Sequence, residues 1–118
     1  MSYIDGFVVP VPSGNKEAYR EMSKKMTSTF KRLGATRVVE CWGSDVPDGK
    51  VTDFKRAVAA QADENVAFGW VEWPSKEIRD QANKAMMEDP AMKNMTMPFD
   101  GKRMIFGGFE VLLDTASQ

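Results

Sequence analysis

The sequence predicts an α+β fold of the ferredoxin-like, split βαβ kind: a four-stranded antiparallel sheet with two helices on one face. Three observations predict it. Four β-rich apolar runs and two runs of helical period follow in the order β-α-β, crossover, β-α-β. The strand runs are apolar on both sides, whereas a sheet with one wet face alternates apolar and polar. The chain has 118 residues, 42% of them hydrophobic and 28% charged, which suits one globular domain with an ordinary core.

Residues 3–11 read as the first strand, with Pro10 and Pro12 expected to end it. Tyr3, Asp5, Phe7 and Val9 take one side, and Ile4, Gly6 and Val8 the other. Ser13-Gly14-Asn15 offers a helix N-cap, and Glu17 suits the positive end of the helix dipole. Ala18, Tyr19, Met22, Met26, Phe30 and Leu33 then form an apolar stripe opposite a Lys- and Arg-rich face, and Gly34 is placed as the C-terminal cap. Residues 35–43 read as the second strand, with Val38, Glu40 and Trp42 on one side and Arg37, Val39 and Cys41 on the other. Pro47-Asp48-Gly49-Lys50 is a turn, and residues 51–60 are a short helix or an irregular crossover.

Residues 65–73 read as the third strand, on which Val66, Phe68, Trp70 and Glu72 share a side. Pro74 stops it and Ser75 caps a second helix running to about residue 89, with Ile78, Ala82, Ala85 and Met86 inward and Pro90 closing it. Residues 91–98 have no clean period, and Asp100-Gly101 is a turn. Residues 103–113 read as the fourth strand, with a bulge expected at Gly107-Gly108. Residues 114–118 are a tail.

Two helices can cover only one face of such a sheet. The other face would then be a large exposed apolar patch, and patches of that kind mark interfaces. The economical solution is a homodimer in which two sheets pack face to face with the helices outside, a dimeric α+β barrel. A small apolar or aromatic ligand held between the sheets is the partner that this arrangement suggests.

Composition excludes several chemistries. Histidine is absent, which removes Ser-His-Asp and Cys-His catalysis, imidazole zinc sites and a proximal-His haem. Net charge is −1 and no basic block stands out, so no nucleic-acid partner is expected. No apolar run approaches the ~20 residues that span a bilayer, so no membrane partner is expected either. The N-terminus lacks a basic signal-peptide region, and a lone Cys41 makes no internal disulfide. A cytoplasmic protein without metal or cofactor is the expectation.

Acid–base work would therefore fall to carboxylates, Lys, Tyr or Cys41. Glu40, Trp42, Trp70 and Glu72 lie on neighbouring strands and by parity can share the dimer-facing side. Two carboxylates among indoles in a dry cavity would have raised pKa values, and one could act as acid or base. The plainer reading is ion pairing of each with Arg37, Arg56, Arg103 or a lysine. Asp5, between Tyr3 and Phe7, needs a partner, and Arg103 is the candidate; the pair would anchor a ligand or simply bridge strands. Cys41 has no basic neighbour in sequence and reads as a buried, inert thiol. Met86, Met87, Met92, Met95, Met97 and Met104 read as flexible gap-filling around the mouth of an apolar cavity, or between that and a soft-metal Cu(I) site as a pliable lining for a hydrophobic ligand. Gly107-Gly108 lacks the spacing of a phosphate loop.

The blocks DGFVVPVP (from residue 5), RVVECWGSDVPDGKVTDFKRAV (from 37), WVEWPSKEIRDQANKAMMEDPAM (from 70) and MPFDGKRMIFGGFE (from 97) together resemble the YbaA-like family of uncharacterised bacterial proteins. The resemblance covers nearly the whole chain. It implies a dimeric α+β barrel and no established activity. A wider likeness of architecture links such chains to antibiotic-biosynthesis-type monooxygenases and haem-degrading enzymes; it rests on fold alone. Ligand binding by a dimer, cofactor-free oxygenase or isomerase chemistry, and a purely structural dimer are the readings that follow, in that order.

Overall fold

The computed structural model describes residues 2–117. Met1 of the N-terminal region and Gln118 of the expected tail lie outside the described residues. Eight elements follow in order: β1 (Tyr3–Pro12), α1 (Lys16–Arg32), β2 (Arg37–Trp42), α2 (Phe54–Ala57), β3 (Glu64–Trp73), α3 (Lys76–Glu88), α4 (Pro90–Lys93) and β4 (Ile105–Glu110). The sheet order is β2-β3-β1-β4 and every pairing is antiparallel. This is the expected ferredoxin-like arrangement, with α1 and α3 on one face.

Local chemistry explains most boundaries. β1 continues through Pro10 to Pro12 instead of stopping there. β4 pairs with β1 only as far as Val8, so Pro10 sits where β1 has a free edge, and a missing N–H costs little there. Asn15 begins α1 without capping it by its side chain, which instead donates to the Pro98 carbonyl at 2.8 Å. At the other end Gly34 takes φ +114°; its N–H bonds to Lys31 O and the Ala35 N–H bonds to Phe30 O, the paired bonds of a Schellman cap. Ser75 caps α3 by accepting from the Ile78 N–H. Pro90 does more than close α3. It occupies the first turn of α4, which Asp89 caps by accepting from the Ala91 N–H. The crossover 51–60 contains the one-turn helix α2.

No bulge occurs at Gly107-Gly108. They pair in continuous register with Gly6 and Asp5. A Cβ on Gly108 would overlap the Tyr3 hydroxyl and lie 2.8 Å from Arg79 Nη2, so close approach of side chains is what requires glycine there.

The register fixes the faces. Tyr3, Phe7, Val9, Val38, Trp42, Val71 and Trp73 lie under the helices, and Val8, Val39, Phe68 and Trp70 lie on the open side. The core beneath the helices has two parts. Tyr3, Val71, Trp73 and Ala82 pack with Phe30, Leu33 and Ile78; Val9, Val11, Tyr19 and Ala67 pack with Met22, Trp42, Phe99 and Met104. On the open side the crossover covers one end, where Val46, Val58 and Ala60 meet Val8 and Val66. The rest stays bare: Phe68, Ile105 and Phe109 are exposed beside Trp70. They border an apolar groove floored by Gly6, Gly69 and Gly107. Among the described residues, no helix is long and apolar enough to cross a membrane.

Candidate functional site

A cavity of about 320 Å³ lies between the sheet and the helices. Its floor is Asp5, Phe7, Val9, Glu40 and Val71 from three strands. One wall is the inward stripe of α1: Tyr19, Met22, Met26 and Phe30. The other is Arg79, Asn83 and Met86, one face of α3 at helical spacing. Met97, Phe99 and Met104, from the chain between α4 and β4, form the roof, and Phe106 stands at the β4 side. That roof is tied down at both ends. Asn15 holds the Pro98 carbonyl, while Arg103 donates to both Glu64 oxygens at 2.6 and 2.7 Å and to the Ala59 carbonyl at 2.9 Å.

The cavity is apolar in the middle and polar at two ends. At one end Tyr19 Oη donates to Glu40 Oε1 at 2.6 Å. Burial pushes the Glu40 carboxyl above its usual range, and the Tyr19 hydroxyl bonded to it offsets only part of that. The Tyr19 phenol is pushed up as well, first by burial and then by the Glu40 charge. At the other end Asp5 receives Arg79 through Nε at 3.0 and 3.1 Å and Nη2 at 2.8 Å, and it also accepts from Trp73 Nε1 at 2.9 Å. Arg79 stacks 5.2 Å from the Tyr3 ring centre and gives a further bond to Asp80.

The candidate residues from the sequence therefore divide. Asp5 and Glu40 line the cavity. Trp42 lies on the same face, packed against Tyr19 at 6.1 Å between ring centres, outside the cavity wall. Trp70 and Glu72 lie on the opposite face of the sheet: Glu40 is opposite Gly69 and Trp42 opposite Ala67, so the four residues do not share a side. On the open face Trp70 donates to Glu72 at 2.8 Å, and Arg37 lies 3.8 Å from the same carboxylate. The expected Asp5–Arg103 pair does not form, because Arg103 sits at the far end of β1, where Glu64 and Asp100 take it and its partnership holds the Glu64 carboxyl low. Cys41 is exposed at the sheet edge, not buried.

Tyr19, Arg79 and Asn83 belong to the site and were not singled out from the sequence. The signal for the last two was present. Arg79 and Asn83 interrupt the α3 stripe at i and i+4, while Ala85, expected inward, is exposed. In the same way Ser23 is buried within α1 and Ala18 is exposed.

An antiparallel β2-β3-β1-β4 sheet with two helices on one face, enclosing a small cavity between the layers, defines a ferredoxin-like α+β protein. A crystal structure of a dimeric ferredoxin-like protein from an uncultured marine organism has the same fold, with a TM-score of 0.60 at 11% identity over 98% of this chain and 100% of that one. The sequence places it more narrowly. The model of a family described as "Protein of unknown function (DUF1428)" matches residues 2–101, and the chain belongs to that family. It is 62% identical over 116 residues to the uncharacterized protein YbaA of Escherichia coli K12 and to YbaA of Shigella flexneri, covering 97% of this chain and 99% of each relative.

Proposed function

We propose that the protein binds a small, largely apolar molecule in the cavity between its sheet and its helices, as one protomer of a homodimer in the cytoplasm. The observation that carries this is the cavity itself. Its volume falls at the lower edge of ligand pockets, roughly 300–1,000 Å³, and its apolar lining with a few convergent polar groups is the usual composition of such pockets. This moves the expected ligand from between two sheets to the helix side of one. The dimer is supported by the bare apolar face around Phe68, Ile105 and Phe109, and by the description of its structural neighbour as dimeric. In that arrangement the open-face groove is filled by the partner.

A second reading is cofactor-free acid–base catalysis. It is favoured by one observation: Glu40 is a largely buried carboxyl that faces the cavity with no ion-pair partner among the described residues, and burial pushes it above its usual range. Native mass spectrometry of protein purified without denaturation tests the first reading. A dimer carrying extra mass supports it and identifies the compound. A monomer at micromolar concentration overturns the dimer. A dimer without retained mass that also takes up no apolar probe overturns binding.

A further inference from the structure

Glu40 borders two spaces. Besides the cavity, a smaller cleft of about 140 Å³ opens at the free edge of β2, lined by Lys16, Tyr19, Arg20, Ser23, Glu40 and Trp42. Tyr19 and Glu40 are the residues common to both linings, so they form the partition between them. Ser23 lines the cleft. Ser23 is only 7% exposed, and its Oγ has no hydrogen-bond partner among the described residues, although it lies close enough for its dipole to favour the ionised carboxyl. That oxygen is itself out of reach of water, so it offers the carboxyl no relay to the cleft.

The far end of the cavity is different in character. Glu40 is opposite Gly69, Gly69 is opposite Phe7, and Asp5 is two residues along from Phe7. The two polar ends are therefore about 10 Å apart across the sheet and about 7 Å along it. Arg79, the one cation in the lining, is held by Asp5 and Asp80 but keeps N–H groups beyond those it spends on them. The Asn83 side chain beside it makes no hydrogen bond among the described residues. An anion entering whole would meet Asp5 and Glu40. A neutral molecule would not, and it could still place negative charge near Arg79 and Asn83 once inside.

Taking the cavity to be a binding site, as above, we propose that it accepts an uncharged, conjugated weak acid, and that Glu40 takes and keeps its proton at one end while the charge spreads toward Arg79 and Asn83 at the other. The step balances without a co-reactant. The X–H bond breaks, its electron pair stays on the ligand, and the Glu40 carboxylate becomes the acid. The proton stays on Glu40 while the anion is bound and returns to the ligand before it leaves, so the net charge of the site does not change. The groups facing Glu40 are Tyr19 on α1, Lys16 and Arg20 at the cleft rim, the adjacent Cys41, and Asp5 and Arg79 across the cavity.

The probe is 4-nitrophenol, whose hydroxyl and nitro group stand at opposite ends and whose anion absorbs separately from the neutral form. Binding is read independently from methionine methyl resonances of the cavity wall. At a pH where free probe is mostly neutral, the bound probe should acquire the phenolate band. Glu40→Gln should keep the methyl shifts and lose the band. Methyl shifts without a phenolate band in the wild type, or a band that survives Glu40→Gln, overturn the proton transfer while leaving binding intact. No methyl shift at all overturns the binding reading itself.

Discussion

Removing the Asp5 carboxylate should cost more than any surface change in the chain, and the structure allows the cost to be worked out. Asp5 receives three contacts from Arg79 and one from Trp73 Nε1. In Asp5→Ala the Trp73 donor is stranded, because Trp73 is 1% exposed and water cannot reach it; a buried unsatisfied donor costs about 1–3 kcal/mol. Arg79 fares better. Its side chain is 19% exposed and keeps Asp80 and the Tyr3 ring, so it loses less than the roughly 3–5 kcal/mol of a fully buried broken pair. A total of about 3 kcal/mol follows, a large share of the ~5–15 kcal/mol that holds a domain together. Urea unfolding followed by circular dichroism should give this difference in midpoint at unchanged slope. Asp5→Asn, which keeps an acceptor for one of the two donors, should cost about half as much. Asp80→Ala, at a half-exposed partner, should cost under ~1 kcal/mol. An Asp5→Ala protein as stable as Asp80→Ala would refute the reasoning, since the network would then contribute nothing that water does not replace.

Three further outcomes are expected. Burial raises the Glu40 pKa in the fold, so between the ordinary carboxyl value of 4.5 and the raised one the folded chain binds more protons than the unfolded chain. Its contribution therefore falls as pH rises through that window, stays unfavourable above it, and vanishes below 4.5. Glu40→Gln should flatten this part of the stability–pH curve and gain on the wild type between pH 4 and pH 8; parallel curves would contradict the burial argument. Gly108→Ala should destabilise by about 1–3 kcal/mol in thermal or urea unfolding, because its methyl group must displace the Tyr3 ring and with it the Arg79 stack, whereas Gly101→Ala, with open space around it, should be near neutral. Phe109→Lys, on the bare face, should halve the mass measured by light scattering while leaving protomer circular dichroism unchanged; a mass equal to the wild type's would show that this face is not the contact.

The fold was readable because its signals are local and chain order limits topology. The α1 stripe recurs once per turn, the Gly34 and Ser75 caps each lie within about a turn, and β-α-β twice over with right-handed crossovers leaves little choice of sheet order. The relative phase of strands is not local. Alternation says which residues of one strand share a side, but a shift of one residue in pairing moves a whole strand's set to the other face. Glu40 and Trp42 were therefore grouped with Trp70 and Glu72, and the register separates them. Partner choice failed for the same reason. Asp5 and Arg103 would be close only if the start of β4 met β1 at Asp5, whereas Gly108 pairs there and Arg103, which precedes β4, lies toward the other end of β1, beside Glu64. Arg79 reaches Asp5 from a helix 74 residues away. Of the site, the carboxylates Asp5 and Glu40 and the methionines Met86, Met97 and Met104 were legible as residue types in apolar surroundings, whereas Met87, Met92 and Met95 are not in the cavity lining. The cavity itself, and its separation from the open face, came from packing that no single element encodes.

The most direct test of the helix-side cavity is a spectrum of protein labelled at the methionine methyl groups, recorded as 4-nitrophenol is added. Met22, Met26, Met86, Met97 and Met104 line the cavity, while Met87 is 75% exposed and outside it. The account predicts saturable shifts at those five methyls, with Met87 and the Trp70 indole of the open face unmoved. Shifts confined to Trp70 and its neighbours, with the five methyls still, would place the ligand on the face assigned here to the partner subunit and contradict the account.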